Sequence, residues 1–178
     1  MTKRMRTGMI LGATLVAAQL GFADNHKNAT GMSRIEKEVR REIVTLPFYS
    51  LFDNFTFRVD GETVTLMGKV SRPTLKTDAE NVVKKIEGVE KVNNQIEVLP
   101  LSPNDDRIRR ATYIALARSP QLDRYFMQAV APIRIIVKNG QVSLEGVVAN
   151  QADKNIAGIQ ANGVSGVFKV NNNLVVEK

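Results

Sequence analysis

The sequence predicts an α+β fold of two tandem α-β-β-α-β units, each a small mixed three-stranded sheet covered by two helices. Two repeated phrases carry this prediction. The stretch GVEKVNNQIEV (88–98) returns as GVFKVNNNLVV (166–176), and VTLMGKV (64–70) returns as VSLEGVV (142–148). The separation between the two copies is the same for both phrases, so the chain contains an internal duplication.

The first helix of each unit precedes these phrases. RIEKEVRREI (34–43) corresponds to RIRRATYIAL (107–116). Ile35, Val39 and Ile43 recur every four positions, as on one face of a helix. The two helix copies are closer together than the copies of the strand phrases, which indicates an insertion near residues 125–131 of the second unit.

Two strands come next in each unit. Apolar residues alternate at 55, 57 and 59 and again at 64, 66 and 70, and the second unit repeats the pattern. Asp60-Gly61 and Asn139-Gly140 predict the hairpin turns between them, because these residues tolerate positive φ.

The second helix and a closing strand complete each unit. Apolar residues at 79, 82, 83 and 86 mark the helix, and a weaker set at 157, 161 and 164 marks its counterpart. We expect Gly88 and Gly166 to end these helices. Asn94 and Asn172 fall on the inward phase of the closing strand, so we expect their amides to bond locally at the helix–strand junction.

The domain boundaries follow from these elements. The first unit is predicted at residues 33–99, a stiff Pro-containing linker at 100–104 and the second unit at 105–178. Residues 1–23 have a basic start, an apolar run at 9–22 and small residues before position 24, which predicts a cleaved secretory signal peptide. A retained anchor is the alternative. Residues 24–32 are predicted to be a disordered mature N-terminus.

The charge is unevenly distributed. The whole chain carries a formal charge of +7. Residues 24–100 hold 12 basic and 12 acidic residues, whereas residues 101–178 hold 10 basic and 6 acidic ones. The basic surplus of the predicted mature protein therefore lies in the second half.

The sequence contains few residues of the types that support catalysis or metal binding. The chain has no Cys and one His, His26, so it offers no cysteine nucleophile, Ser-His-Asp relay or zinc-type cluster. Asp105 and Asp106 are interpreted as helix-capping residues. We expect no cofactor, no metal and no enzymatic activity. Nucleic acid is not an expected partner, because the first half is neutral and no aromatic-basic platform is present.

The repeated motifs resemble the BON domain. Its pattern is Leu-x-Gly-x-Val, a helix, then Gly-Val-x-x-Val-x-Asn-x-Ile/Leu-x-Val. The motif positions are Leu66, Gly68, Val70, Gly88, Val89, Val92, Asn94, Ile96 and Val98 in the first unit, and Leu144, Gly146, Val148, Gly166, Val167, Val170, Asn172, Leu174 and Val176 in the second.

A signal peptide followed by two BON repeats is similar to osmotically inducible periplasmic proteins and to dual-BON envelope lipoproteins. The resemblance implies a non-enzymatic periplasmic protein that contacts anionic phospholipid or envelope proteins, in peripheral rather than transmembrane contact. Envelope maintenance under osmotic stress and chaperone-like binding of unfolded clients are both implied. The lipoprotein group's acylated Cys is absent from this chain.

One helix face in the second unit is a candidate lipid-binding surface. Arg107, Arg110, Ile114 and Arg118 fall within about 80° on the side opposite the predicted core, at about 100° per residue. With Tyr113 beside them, they suit contact with anionic headgroups. An ordinary solvated helix face is the alternative.

Two aromatic segments are candidates for client binding. They are Tyr125-Phe126-Met127 in the insertion and Phe48, Tyr49, Leu51 and Phe52 in the first unit. Each could instead complete the core or form the interface between the units. The sequence leaves these alternatives open.

Overall fold

The computed structural model describes residues 33–177. The predicted signal peptide, the predicted disordered segment 24–32 and His26 lie outside the described residues. Within 33–177, both units show the predicted order of elements, and the two units form one compact body.

The helix and strand bounds are as follows. The first unit comprises α1 (Arg34–Val44), β1 (Asn54–Asp60), β2 (Thr63–Val70), α2 (Pro73–Val83), β3 (Lys91–Asn94) and β4 (Glu97–Val98). The second comprises α3 (Pro103–Ala117), a short 3-10 turn (Asp123–Tyr125), β5 (Ile133–Lys138), β6 (Gln141–Val148), α4 (Gln151–Asn162), β7 (Lys169–Asn172) and β8 (Val175–Val176).

Each sheet is mixed, as predicted. β1 pairs antiparallel with β2, and β2 pairs in parallel with both β3 and β4. The second unit has the same topology. The α+β fold class is confirmed, with the refinement that each closing strand is broken into two short strands just after its motif asparagine.

That break is caused by the asparagine side chain. Asn94 Oδ1 accepts the backbone N–H of Ile96 at 3.2 Å, and Asn94 Nδ2 donates to the Lys76 carbonyl in α2 at 2.9 Å. Asn172 repeats the arrangement with the Lys154 carbonyl in α4. We predicted that each amide would bond locally at the helix–strand junction. The bond to the Ile96 N–H is local. The other partner was predicted wrongly, because the amide nitrogen donates to a carbonyl within the second helix rather than at its junction with the strand.

The motif glycine of the second strand permits close pairing. Gly68 has a φ of +120°, and a Cβ there would lie 2.0 Å from the Asn54 carbonyl oxygen. At Gly146 a Cβ would lie 1.9 Å from the Pro132 carbonyl oxygen. Any side chain at these positions would force the two hairpin strands apart.

The other motif glycine forms a turn rather than ending a helix. α2 ends at Val83, several residues before Gly88, so the predicted helix end was wrong. Gly88 has a φ of +86° at the third position of a turn closed by Val89 N–H to the Ile86 carbonyl at 3.1 Å. A type II turn requires positive φ at that position. Gly166 follows the same pattern with a φ of +89°.

The first hairpin turn lies one residue later than predicted. Asp60 pairs with Thr63, so Gly61 and Glu62 form the turn. Gly61 takes the positive φ of +62°, which suits a turn with glycine in its first central position. The Asn139-Gly140 turn is as predicted, with positive φ at both residues.

The start of α3 also differs from the sequence interpretation. Ser102 is the N-cap and Pro103 the first helical residue, so Asp105 and Asp106 lie in the first turn, as expected for acidic residues, but neither is the cap. Asp105 is 1% exposed and accepts the backbone N–H groups of Asn139 and Gly140, both at 2.8 Å. It therefore fastens the β5–β6 turn to α3, while Asp106 pairs with the buried Arg109.

The two units pack through the loop before β1. The Leu51 carbonyl accepts the Ile135 N–H of β5 at 2.8 Å, and the Ser50 carbonyl accepts an Arg134 Nη1 hydrogen at 3.1 Å. The Arg134 guanidinium lies 4.6 Å from the centre of the Tyr49 ring. Leu51 and Phe52 pack against the core of the second unit. Of the alternatives for this segment, the interface is the one that the structure shows for these residues.

This packing buries both faces of β5. Ile133, Ile135 and Val137 face the core of the second unit, as their alternation predicts. Arg134 and Ile136 lie on the opposite face and are also buried. Lys138 then pairs with Glu97 of β4, adding an ion pair between the units.

Candidate interfacial surface on the second unit

The helix face of α3 has the predicted phase. Ile108, Thr112 and Leu116 are fully buried. On the other side, Arg107, Arg110 and Arg118 are exposed, and Ile114 is 44% exposed. The first unit does not cover this stripe, so it is available to a partner.

The three arginines are held differently. Arg107 donates to the Ser165 carbonyl at 3.3 Å and to Asn104 Oδ1 at 3.0 Å, which fixes its guanidinium beside the end of α4. Arg110 and Arg118 make no ion pair or side-chain hydrogen bond within residues 33–177. Their charge is therefore presented to solvent.

The corresponding helix of the first unit pairs two of its three exposed arginines with carboxylates. Arg34 pairs with Glu38 at 3.1 Å and with Glu87 at 3.7 Å, and Arg41 pairs with Glu42 at 3.1 Å. Arg34 also donates to the Glu87 carbonyl at 2.8 Å, which is the position that Arg107 takes in the second unit. The guanidinium at this junction is thus a shared structural feature. The helices differ in carboxylate pairing, since Arg40 is the one exposed arginine of α1 without an ion pair among residues 33–177.

Tyr113 does not join the exposed stripe. Its ring is half-buried and makes an edge contact with Phe126, with ring centres 5.6 Å apart. The Tyr125 hydroxyl is buried, donates to Asp153 Oδ2 and accepts the Ala149 N–H. Phe126 packs against the same core, while Met127 is 80% exposed. Tyr125 and Phe126 therefore complete the core, whereas residues 127–130 of the insertion are exposed.

Exposed apolar side chains are concentrated in the second half, and the sequence reasoning considered Ile114 and Met127 among them but missed Ile159 and Phe168. The large hydrophobic residues exposed within 33–177 are Phe48, Leu101, Ile114, Met127, Val130, Ile159, Phe168 and Val175. Only Phe48 belongs to the first unit. A position-by-position comparison of the two units contains the signal, because Asn81 and Glu90 of the first unit correspond to Ile159 and Phe168.

Residues 33–177 were also searched for a metal site and for a membrane-spanning helix. Residues 33–177 contain no group of three or more His, Asp or Glu residues arranged to hold a metal ion. No helix within that range is long and apolar enough to cross a bilayer. The pKa of Glu97 is lowered by the hydrogen bond from Lys138, and that pair belongs to the interface between the units.

Comparisons with known proteins agree with the repeated fold. The sequence profile described as BON domain matches residues 32–100 and again residues 104–178. No curated protein matches the chain.

Two solved structures of CdsD, a structural protein of the type III secretion system of Chlamydia trachomatis, show a weak likeness. The first, its C-terminal domain, is 13% identical with a TM-score of 0.29, and the match covers 83% of this chain and 99% of that one. The second is also 13% identical with a TM-score of 0.29, and covers 82% and 93%. Likeness at this level carries no conclusion about function.

Proposed function

Because the chain belongs to the BON domain family, whose members are generally non-enzymatic and associated with membranes or phospholipid in the cell envelope, we propose that it binds anionic phospholipid through its second unit. In this proposal the protein is exported to the periplasm by a cleaved signal peptide. It lies peripherally on the membrane surface and supports envelope integrity under osmotic stress.

One observation carries the proposal: the exposed arginines 107, 110 and 118 have no carboxylate partners among the described residues, whereas two of the three exposed arginines of α1, Arg34 and Arg41, do. An arginine already paired with a carboxylate loses that partner when it binds a phosphate. Arg110 and Arg118 do not have this cost. Their guanidinium groups can bind phosphate in a bidentate manner.

The expected affinity is modest. Each basic residue near an anionic bilayer contributes about 1 kcal/mol, and the attraction falls off within about 10 Å at 0.1 M salt. Arg110 and Arg118 together therefore account for about 2 kcal/mol, or about a 30-fold change in the partition coefficient. Binding should weaken as salt is raised.

Vesicle sedimentation tests the proposal. We expect the protein to sediment with phosphatidylglycerol vesicles at low salt and to remain in solution with phosphatidylcholine vesicles. The double variant Arg110→Gln/Arg118→Gln should bind the anionic vesicles about 30-fold more weakly. Lys37→Gln/Arg41→Gln removes the same charge from exposed positions of α1 and serves as the matched control.

Two results would overturn the proposal. One is the absence of sedimentation with phosphatidylglycerol vesicles at low salt. The other is an equal loss of binding in the α1 control, which would attribute the interaction to net charge alone.

The chaperone alternative has less support. It depended on two aromatic segments, and most of their side chains pack inside the protein. Leu51 and Phe52 contact the core of the second unit, Tyr49 lies under Arg134, and Tyr125 is buried. Phe48 and Met127 alone of these residues are largely exposed, which offers an unfolded client little continuous apolar area.

A further inference from the structure

The groove between the two helices differs between the units. In the first unit, α1 and α2 enclose a depression of about 320 Å³. Its lining residues are Glu38, Arg41, Glu42, Val82, Lys85, Ile86 and Glu87. Charged side chains thus dominate this groove.

The equivalent positions of the second unit have lost all of these charges. When the first helices of the two units are aligned, Glu38, Arg41 and Glu42 become Ala111, Ile114 and Ala115. When the second helices are aligned, Lys85 and Glu87 become Gly163 and Ser165. No carboxylate remains at these positions to repel an anionic surface, and small residues replace long ones.

Two exposed apolar side chains lie on α4 and on the loop that follows it. Ile159 lies in the last turn of α4 and is 70% exposed. Phe168 follows the Gly166 turn and is 84% exposed. The positions of the first unit that correspond to them hold Asn81 and Glu90, which are polar and exposed.

Phe168 lies near the arginine stripe, and Ile159 is on α4, the helix that packs beside α3. Arg107 Nη1 donates to the Ser165 carbonyl, directly after α4, and its guanidinium lies against Gly166. Phe168 is two residues further along and is fixed by its backbone N–H, which donates to the Gly140 carbonyl at 2.8 Å. Ile114 lies two turns beyond Arg107 on the same side of α3. Apolar and cationic groups therefore alternate across one region of the second unit.

We propose that Ile114, Ile159 and Phe168 insert into the boundary between headgroups and acyl chains of an anionic bilayer, while Arg107, Arg110 and Arg118 remain at the level of the phosphates. This inference rests on the proposed function and extends its surface from α3 onto α4 and the loop before β7. The combination of exposed apolar groups, unpaired arginines and missing carboxylates matches a membrane interface. Free phosphate would leave the apolar groups without a role.

Insertion and purely electrostatic adsorption predict different behaviour. Adsorbed protein leaves the vesicle as salt screens the charges. Inserted apolar side chains do not respond to screening, so part of the binding should survive at high salt. Insertion should also bring residues 159 and 168 into contact with lipid.

The absence of cysteine allows a direct test. The variants Ile159→Cys and Phe168→Cys, each labelled with an environment-sensitive fluorophore, are mixed with phosphatidylglycerol vesicles. Asn81→Cys and Glu90→Cys, labelled in the same way at the equivalent positions of the first unit, are the controls. We expect a blue shift, and quenching by brominated acyl chains, for labels at 159 and 168 only.

A second pair of variants tests the energy of insertion without a label. Because Ile159 and Phe168 are exposed, Ile159→Ser and Phe168→Ser should leave the thermal midpoint unchanged. The combined change should weaken binding to phosphatidylglycerol vesicles at least about tenfold and abolish the salt-resistant fraction.

The outcomes separate this inference from the proposed function. If the protein does not sediment with anionic vesicles at all, the proposed function fails. If it sediments fully but labels at 159 and 168 behave like those at 81 and 90, binding is electrostatic only and the insertion is refuted. Unchanged, fully salt-sensitive binding in the double serine variant would refute it as well.

Discussion

Gly68→Ala provides a stringent test of why the second strand carries a glycine. The added Cβ would lie 2.0 Å from the Asn54 carbonyl oxygen, whereas real Cβ atoms essentially never approach another heavy atom closer than 3.0 Å. The contacting atom belongs to the backbone, so β1 has to move away by about 1 Å. This displacement breaks the pairing of Phe55 with Gly68 at the start of the hairpin.

The magnitude follows from two contributions. A side chain at a φ of +120° costs about 1–3 kcal/mol. Losing about two strand hydrogen bonds costs about 1 kcal/mol each, and more if a buried group is left without a partner. We expect the free energy of unfolding to fall by about 3–5 kcal/mol.

Gly61→Ala is the matched control. Gly61 also has positive φ, at +62°, but a Cβ there would meet no atom within 4 Å. It should therefore cost only about 1 kcal/mol, from conformation alone. Urea denaturation followed by circular dichroism measures both variants. Equal losses for Gly61→Ala and Gly68→Ala would refute the steric explanation and leave φ as the whole cause.

Three further predictions follow from local contacts. Asn94→Leu should destabilise the first unit by about 1–3 kcal/mol and unfold it before any ligand is affected, because the Lys76 carbonyl and Ile96 N–H lose their partner. Asn93→Leu should cost less. A stable Asn94→Leu protein that no longer binds lipid in the sedimentation assay would contradict this prediction. Phe48 is exposed with a φ of +65°, so Phe48→Gly should raise the thermal midpoint by relieving about 1 kcal/mol of strain; a lower midpoint would show that its contact with a nearby guanidinium outweighs the strain. Lys138 lowers the pKa of Glu97 from 4.5, so their pairing stabilises the protein above pH 4.5 and the stability is lost as the pH falls through the lowered pKa. Glu97→Gln should flatten that acid dependence of the thermal midpoint, and an unchanged acid transition would assign it to other carboxylates.

The elements that repeat in the sequence are the ones that could be predicted from it. Apolar periodicity and the equal separation of the repeated phrases indicated the helices, strands and their order, because the core of each unit is formed by local, periodic faces. The first hairpin turn was misplaced by one residue because the predicted pair, Asp60-Gly61, and the observed pair, Gly61-Glu62, both contain the turn-forming Gly61. Asp105 was interpreted as a cap because its partners, Asn139 and Gly140, lie 34 and 35 residues away.

Contacts between residues that are distant in the sequence also determine the interface between the units and the details of the candidate surface, and these could not be predicted. Arg134 is buried by the loop of the other unit, and its charged side chain gives no sign of this in the sequence of β5. The arginine stripe of α3 was predictable from helical spacing. That Arg107 is fixed to the Ser165 carbonyl and that Tyr113 turns towards Phe126 depend on tertiary packing, which helical spacing does not encode.

The hydrogen bond from Ile135 to the Leu51 carbonyl has a consequence for how this chain can evolve. A duplicated domain is at first two interchangeable modules, either of which can be lost or moved to another gene. Once the loop of the first copy supplies the acceptor for Ile135 at the edge of β5, removal of the first copy leaves that N–H without its partner. Loss of the first copy would also expose Arg134 and Ile136 of β5, so we expect selection to keep the two copies together.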